Sequence, residues 1–319
     1  MSQFQEIYSD IKFLYHRPYF KGMLWFLLSL VISNTNDIIM KFLGQNLPSV
    51  EIIFGRFFFG TLSLIPFMMF FGPKSWKSER PLVHIIRGGL LFAGISLWCF
   101  GLTIVPIATA TVLNFSIPLF TLVLAFFFLR ENIGWQRLVA TIIGFFGVII
   151  ILGPTTLGFE SMTFVLILAS LMFAMLDVIN KKFIVKESML SMLFYSAVVT
   201  TFLSAVPTYF MWQTPTLQQV FVLLILGFGG NLILYCLLKA FALMDASALA
   251  PFRYFELVLS VLFGFLLFQE IPVWGTALGT AIIIPSTFFV ARYELRRSRH
   301  HHEQTKQDTS PDPKTKKTA

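Results

Sequence analysis

Charge is the scarce component of this 319-residue sequence: 13% of its residues are Asp, Glu, Lys or Arg, against 56% hydrophobic. A soluble domain carries about a quarter of its residues charged, so a water-soluble fold is excluded. Cysteine is nearly absent as well. Cys99 and Cys236 both fall in apolar runs, which leaves no disulfide framework and no thiolate metal site. No GxxxxGK[ST] run exists to bind ATP, HExxH is missing, and no pore-loop motif suggests a channel. No histidine is expected inside a span, which excludes a membrane Ser–His dyad. Catalysis has no foothold, and neither cofactor nor metal is expected. The first twenty-one residues are polar and of mixed charge, so no cleavable signal peptide is expected.

What the sequence has is length in its apolar runs. A helix needs about 20 mostly apolar residues to cross a bilayer. Ten stretches qualify: 22–42, 50–71, 82–102, 105–129, 134–152, 162–179, 190–212, 220–241, 246–268 and 273–291. The expected fold is an all-α polytopic membrane protein of ten transmembrane helices. In a soluble chain a net charge of +8 would point to nucleic acid; here it sorts by membrane side. With the N-terminus in the cytoplasm, Lys74, Lys77, Arg80, Arg130, Arg137, Lys181, Lys182, Lys186, Lys239 and the basic tail all fall on one side. The opposite loops, such as WQTPTLQQ and GPTTLGFE, hold no Lys or Arg. This asymmetry predicts cytoplasmic termini and a bacterial cytoplasmic membrane location.

The ten stretches also read as two copies of one unit. Glu131 and Trp135 align with Glu270 and Trp274, and DIIMK (Asp37–Lys41) aligns with DVINK (Asp177–Lys181). Five spans per copy force the second copy to insert upside down, and the basic loops of one copy are neutral in the other. The expectation is therefore two inverted five-helix repeats, at 22–153 and 162–291. A lead at 1–21 and a basic, disordered cytoplasmic tail at 292–319 flank them. His300–His302 are read as solvated tail rather than as a metal tract. Ala140 with Gly144, and Gly275 with Gly279, have the small-xxx-small spacing that allows close helix approach, either within the bundle or in a homodimer. Pro118 and Pro251 are expected to bend their helices near a cavity. Trp25, Trp135, Trp212 and Trp274 read as anchors at the lipid interface.

Ionisable groups at membrane depth are expensive and mark function by default. Asp37, Arg56, Asp177, Arg253 and Glu256 are such groups, accompanied by Asn114, Trp98, Tyr195 and Tyr254. Asp37–Lys41 and Asp177–Lys181 are spaced four apart and Arg253–Glu256 three apart, so local neutralising pairs are the structural alternative. The functional reading gives Asp37 and Asp177 equivalent places toward opposite faces, as an alternating-access pathway requires. In this reading Trp98 stacks on a planar ring or a cation.

Several stretches go further. GLTIVPIATATVLNFSIPLFTLVLAFFFLRENIGWQRL, its second-half partner AFALMDASALAPFRYFELVLSVLFGFLLFQE, and Arg56 in EIIFGRFFFG resemble the EamA-type branch of the drug/metabolite transporters. DVINKKFIVKESMLSMLFYSAVVT and APFRYFELVLS are similar to the S-adenosylmethionine uptake transporters of obligate intracellular bacteria. The resemblance implies a secondary carrier that imports S-adenosylmethionine, in exchange for S-adenosylhomocysteine, by alternating access. Its partners would be a small-molecule substrate and the lipid bilayer, with no nucleic acid. Under this resemblance Asp37, Asp177 and Glu256 would hold the two cationic groups of the cargo. Arg253 or Arg56 would hold its carboxylate, and Trp98 or Tyr195 its adenine. An EamA-type carrier of an amino acid or a cationic amine is the alternative, and a non-transporting receptor or scaffold is the reading from another class.

Overall fold

In lipid every backbone amide must be satisfied within its own segment, so apolar runs of this length wind into helices. The computed structural model describes residues 18–44, 46–104, 113–152, 161–256, 258–259, 278, 281–286, 288–289 and 292–293. Among these residues every regular element is helical. The helices are α1 (Pro18–Leu43), α2 (Ser49–Phe70), α3 (Pro81–Ile104), α4 (Ile117–Leu124, extended by a π-helical turn Ala125–Leu129), α5 (Trp135–Leu152), α6 (Ser161–Phe183), α7 (Met189–Met211) and α8 (Leu217–Leu243). A short α9 (Ala246–Leu249) continues as a 3₁₀ turn, Ala250–Tyr254. Six of them, α1, α2, α3, α6, α7 and α8, are long and apolar enough to cross a membrane. The ninth span beyond 259, most of the tenth, Glu270, Trp274, Gly275, Gly279 and His300–His302 lie outside the described residues.

Local chemistry sets the helix ends. The Ser188 hydroxyl accepts the Ser191 amide at 3.0 Å to start α7. Thr216 and Gln219 form a reciprocal capping box at the start of α8: Thr216 Oγ1 accepts the Gln219 amide at 3.3 Å, and Gln219 Oε1 accepts the Thr216 amide at 2.7 Å. The two prolines expected to bend helices instead stand second in their segments, Pro118 in α4 and Pro251 in the 3₁₀ turn. There the missing N–H costs nothing.

Packing runs across the two halves of the chain rather than within them. α1 lies along α8 as α6 lies along α3, α2 packs on α8 as α7 packs on α3, and α2 and α7 pack on each other. Exchanging the two halves leaves this pattern unchanged. On the shared α2–α7 seam Thr61 Oγ1 meets Thr201 Oγ1 at 3.3 Å. α8 comes so close to α2 that a Cβ on Gly227 would stand 2.6 Å from the Gly60 amide nitrogen and 2.7 Å from the Arg56 carbonyl oxygen. The small-residue stripe on α5 also faces inward: Ala140 is buried, and the Tyr254 ring fills the space beside Gly144. Ala140 and Gly144 therefore serve packing within the bundle.

The expectation of no histidine in a span fails. His84 opens α3 in its first turn, is 1% exposed, and has Nε2 2.8 Å from Ser78 Oγ and 3.8 Å from a Glu187 carboxylate oxygen.

Candidate functional site

The interdigitated helices enclose a cavity of about 250 Å³. Its wall takes Asp37 from α1, Arg56 from α2, Trp98 from α3, Asn114 from the helical residues ahead of the turn that precedes α4, Asp177 from α6, and Arg253 and Glu256 from the α9 segment. Seven of the nine residues singled out by sequence therefore share one chamber. The other two do not line it. The Tyr195 hydroxyl donates to the Trp76 carbonyl at 2.7 Å, with its ring against His84. Tyr254, 1% exposed, packs against Phe115 and Gly144.

The ionic contacts are not the local ones that helical spacing allowed. Arg253 Nη2 reaches across to Asp177 Oδ2 at 2.6 Å. Lys181 turns away from Asp177 and donates to the Phe241 and Met244 carbonyls at 2.8 and 2.6 Å, where the C-terminus of α8 presents unsatisfied oxygens. Glu256 is hydrogen-bonded to Ser33 and feels the charges of both Asp37 and Arg253. Asp37 is faced by Arg56. The Lys41 side chain lies outside the described residues. The carboxylates Asp37 and Asp177 thus occupy equivalent places in the two halves, yet their arginines come from non-equivalent helices, α2 and the α9 segment.

Backbone geometry explains the access of these groups. A 3₁₀ turn has three residues per turn, so positions three apart eclipse. Arg253, in the 3₁₀ turn, and Glu256, just after it, consequently both face the chamber. Arg56 lies over Gly230, where a Cβ would stand 3.0 Å from its Nε, so the absence of a side chain on α8 gives the guanidinium its room. Asn231, which the sequence reading passed over, bonds the Gly60 carbonyl at 2.7 Å and Ser63 Oγ at 3.0 Å while lining the cavity. Its signal was a polar residue in the apolar run GFGGN.

Two polar clusters tie the chain's connections together. In the first, Ser191 Oγ donates to the Ser75 carbonyl at 2.6 Å, and Ser78 and His84 meet Glu187, so the α2–α3 connection is bound to the start of α7. Arg87, fully buried, reinforces it through Asn180 at 2.8 Å and the Met192 carbonyl at 2.7 Å. A lone arginine in the run HIIRGG was the overlooked signal. In the second cluster Glu131 caps the start of α9, accepting the Ala246 and Ser247 amides at 3.0 Å each and the Ser247 hydroxyl at 2.5 Å. Arg137 adds Ser247 Oγ at 2.6 Å and Asp245 at 3.1 Å.

The chamber sets charged groups inside a bundle of apolar helices, and the sequence comparisons point to transporters. The EamA-like transporter family model matches twice, over residues 20–153 and 161–292. The chain belongs to the EamA-like transporter family. It is thus a multi-pass membrane protein of a transporter family built from two matching units. It is 50% identical over 287 residues to the S-adenosylmethionine uptake transporter of Rickettsia prowazekii, covering 90% of this chain and 98% of that one. It is 53% identical over 280 residues to the protein of the same name in Rickettsia bellii, covering 88% and 96%. The riboflavin transporter of Vibrio cholerae is 32% identical over 292 residues, covering 89% and 97%. A solved crystal structure at 20% identity superposes with a TM-score of 0.70 over 88% of this chain and 96% of the other, which shows a shared fold.

Proposed function

We propose that this carrier imports S-adenosylmethionine across the bacterial cytoplasmic membrane by alternating access, and releases S-adenosylhomocysteine in exchange. In this reading the chain has ten transmembrane helices in two inverted five-helix repeats, 22–153 and 162–291. Both termini are cytoplasmic, as the sorting of Lys and Arg supports. The observation that carries the substrate is a chamber with three carboxylates, two guanidiniums and one indole, in a chain half identical to S-adenosylmethionine uptake transporters.

The cargo has a sulfonium, an ammonium, a carboxylate and an adenine. Glu256 and Asp37, close enough to feel each other's charge, receive the cationic groups. Arg56 receives the carboxylate, and Trp98 stacks on the adenine. Asp177 orients Arg253 through their 2.6 Å contact and is exposed to the cargo when that contact opens. Asn114 supplies an amide to the adenine edge. Tyr195 and Tyr254 act in packing rather than in binding.

The test is uptake of labelled S-adenosylmethionine into bacterial cells expressing the chain, with unlabelled competitors. S-adenosylhomocysteine is expected to compete, and methionine and riboflavin are not. Absence of saturable uptake by correctly inserted protein overturns the reading. Competition by riboflavin or by simple amines would favour a carrier of another amphiphilic metabolite.

A further inference from the structure

Arg87 ties three helices together and still has a donor to spare. Its Nε and Nη1 are committed to Asn180 Oδ1 on α6 and the Met192 carbonyl on α7, at 2.8 and 2.7 Å. Among the described residues its Nη2 has no hydrogen-bond partner, and neither has Nδ2 of Asn180. Both side chains are fully buried. A buried donor left unmade is costly, more so on a charged group. These two belong to groups already joined by a hydrogen bond, so the two oxygens of a single carboxylate fit the pair.

Their place in the bundle says which carboxylate. Leu91 and Ile95 on α3 and Asp177 on α6 line the chamber. Arg87 and Asn180 stand one turn further along the same helix faces, toward His84 and Glu187, whose charges act on Arg87. The repeat points the same way. Aligning DIIMK with DVINK sets Asn180 against Met40, and Met40 Sδ lies 3.3 Å from Arg56 Nη1. Each half thus brings a guanidinium to the equivalent place, from α2 in one and from α3 in the other. Resting on the substrate reading above, we propose that Arg87 and Asn180 form a second carboxylate position, on the cytoplasmic side of the chamber, which receives the cargo's carboxylate after Arg56 releases it. Asp177, one turn away on α6, faces the ammonium that neighbours this carboxylate in an α-amino acid. The contacts of Ser191 with Ser75, and of Ser78 and His84 with Glu187, close the position from the cytoplasm. It fills when they part.

Right-side-out and inverted bacterial membrane vesicles bearing the full-length carrier present its two faces in turn. The probes are labelled S-adenosylmethionine and, as competitor, its analogue with hydrogen in place of the carboxylate. R87Q is expected to raise half-saturation by S-adenosylmethionine at the cytoplasmic face about tenfold or more, the worth of a charge-assisted pair of hydrogen bonds. Half-saturation at the outer face, and by the analogue at either face, is expected to stay within about twofold. A merely structural tie has no means of telling the two probes apart. Unshifted values, equal shifts for both probes, or a shift confined to the outer face would overturn the proposal and leave the substrate reading intact. R87K keeps the charge but not the planar fork. It is the variant to read if R87Q fails to insert, with the same selective loss expected, and wild-type values in it would overturn the assignment. Absence of saturable S-adenosylmethionine transport in wild-type vesicles of both kinds would overturn the substrate reading and the proposal together.

Discussion

The hydroxyl oxygens of Thr61 and Thr201 lie 3.3 Å apart, and the two residues are separated by the same offset that aligns Asp37 with Asp177. Equivalent residues of two related halves touch each other only near the axis that relates them. Points on that axis move least when one half rocks against the other. In a background lacking Cys99 and Cys236, T61C/T201C joined by a short thiol cross-linker is expected to retain transport within about twofold, whereas joined S75C/S191C loses it about tenfold or more. Loss of transport in both cross-linked pairs would place the pivot elsewhere.

Asp177 and Arg253 form a buried ion pair, and removal of one partner strands the other. D177N is expected to cost about 3–5 kcal/mol of stability and to abolish uptake. D177N/R253Q is expected to recover much of the stability and none of the uptake. Melting in detergent and initial uptake rates distinguish the pair's two contributions. Equal destabilisation by the single and double variants would refute the coupling.

Glu131 holds the start of α9 with three hydrogen bonds. E131Q keeps the shape and loses the charge, which is worth about 1–2 kcal/mol for charge-assisted bonds at a helix start. The variant is expected to loosen the face that carries the α4–α5 and α8–α9 connections. Access of a membrane-impermeant thiol reagent from the cytoplasmic side to S196C, in the same cysteine-free background, measures this. Labelling that is the same with and without E131Q would show that the Glu131 cap does not control access to the chamber.

Gly227 and Gly230 are one turn apart on α8 but meet different neighbours. A Cβ on Gly227 strikes backbone at 2.6 Å, which cannot move without shifting α2, whereas one on Gly230 meets the flexible Arg56 head at 3.0 Å. G227A is expected to lower folded yield with a cost of about 1–3 kcal/mol. G230A is expected to fold and to raise KM by displacing the guanidinium. Fluorescence-detected size-exclusion and uptake kinetics report the two effects separately.

The all-helical membrane fold, six of the expected spans and the repeat were legible because they rest on period and composition. The chamber was legible in part, since ions at membrane depth are rare enough to stand out. The pairing was not legible. Spacing on α6 suggested Asp177 with Lys181, but a helix end elsewhere offered Lys181 two carbonyls, and Asp177 was left for an arginine 76 residues away. Tyr195 and Tyr254 show the same limit. An aromatic in a span carries no mark of which side it faces, and only the packing against Trp76 and Gly144 decides it. His84 and Arg87 sat in view within HIIRGG, but at the edge of an apolar run, where snorkelling to water is the usual expectation.

The π-helical turn Ala125–Leu129 gives the chain one wider loop of backbone before Arg130 takes the left-handed conformation, φ 56°, and Glu131 follows. A turn of that kind accommodates one residue more than an α-helix over the same length. Deleting a single residue from Phe126–Leu129 would let α4 run on as a regular helix without shortening its passage through lipid. Because the wider turn takes up the extra residue locally, the deletion would leave Glu131 facing the start of α9. The fastening between the two halves then tolerates a change of length at this one turn, where a deletion from the regular helix before it would rotate Glu131 by about a hundred degrees.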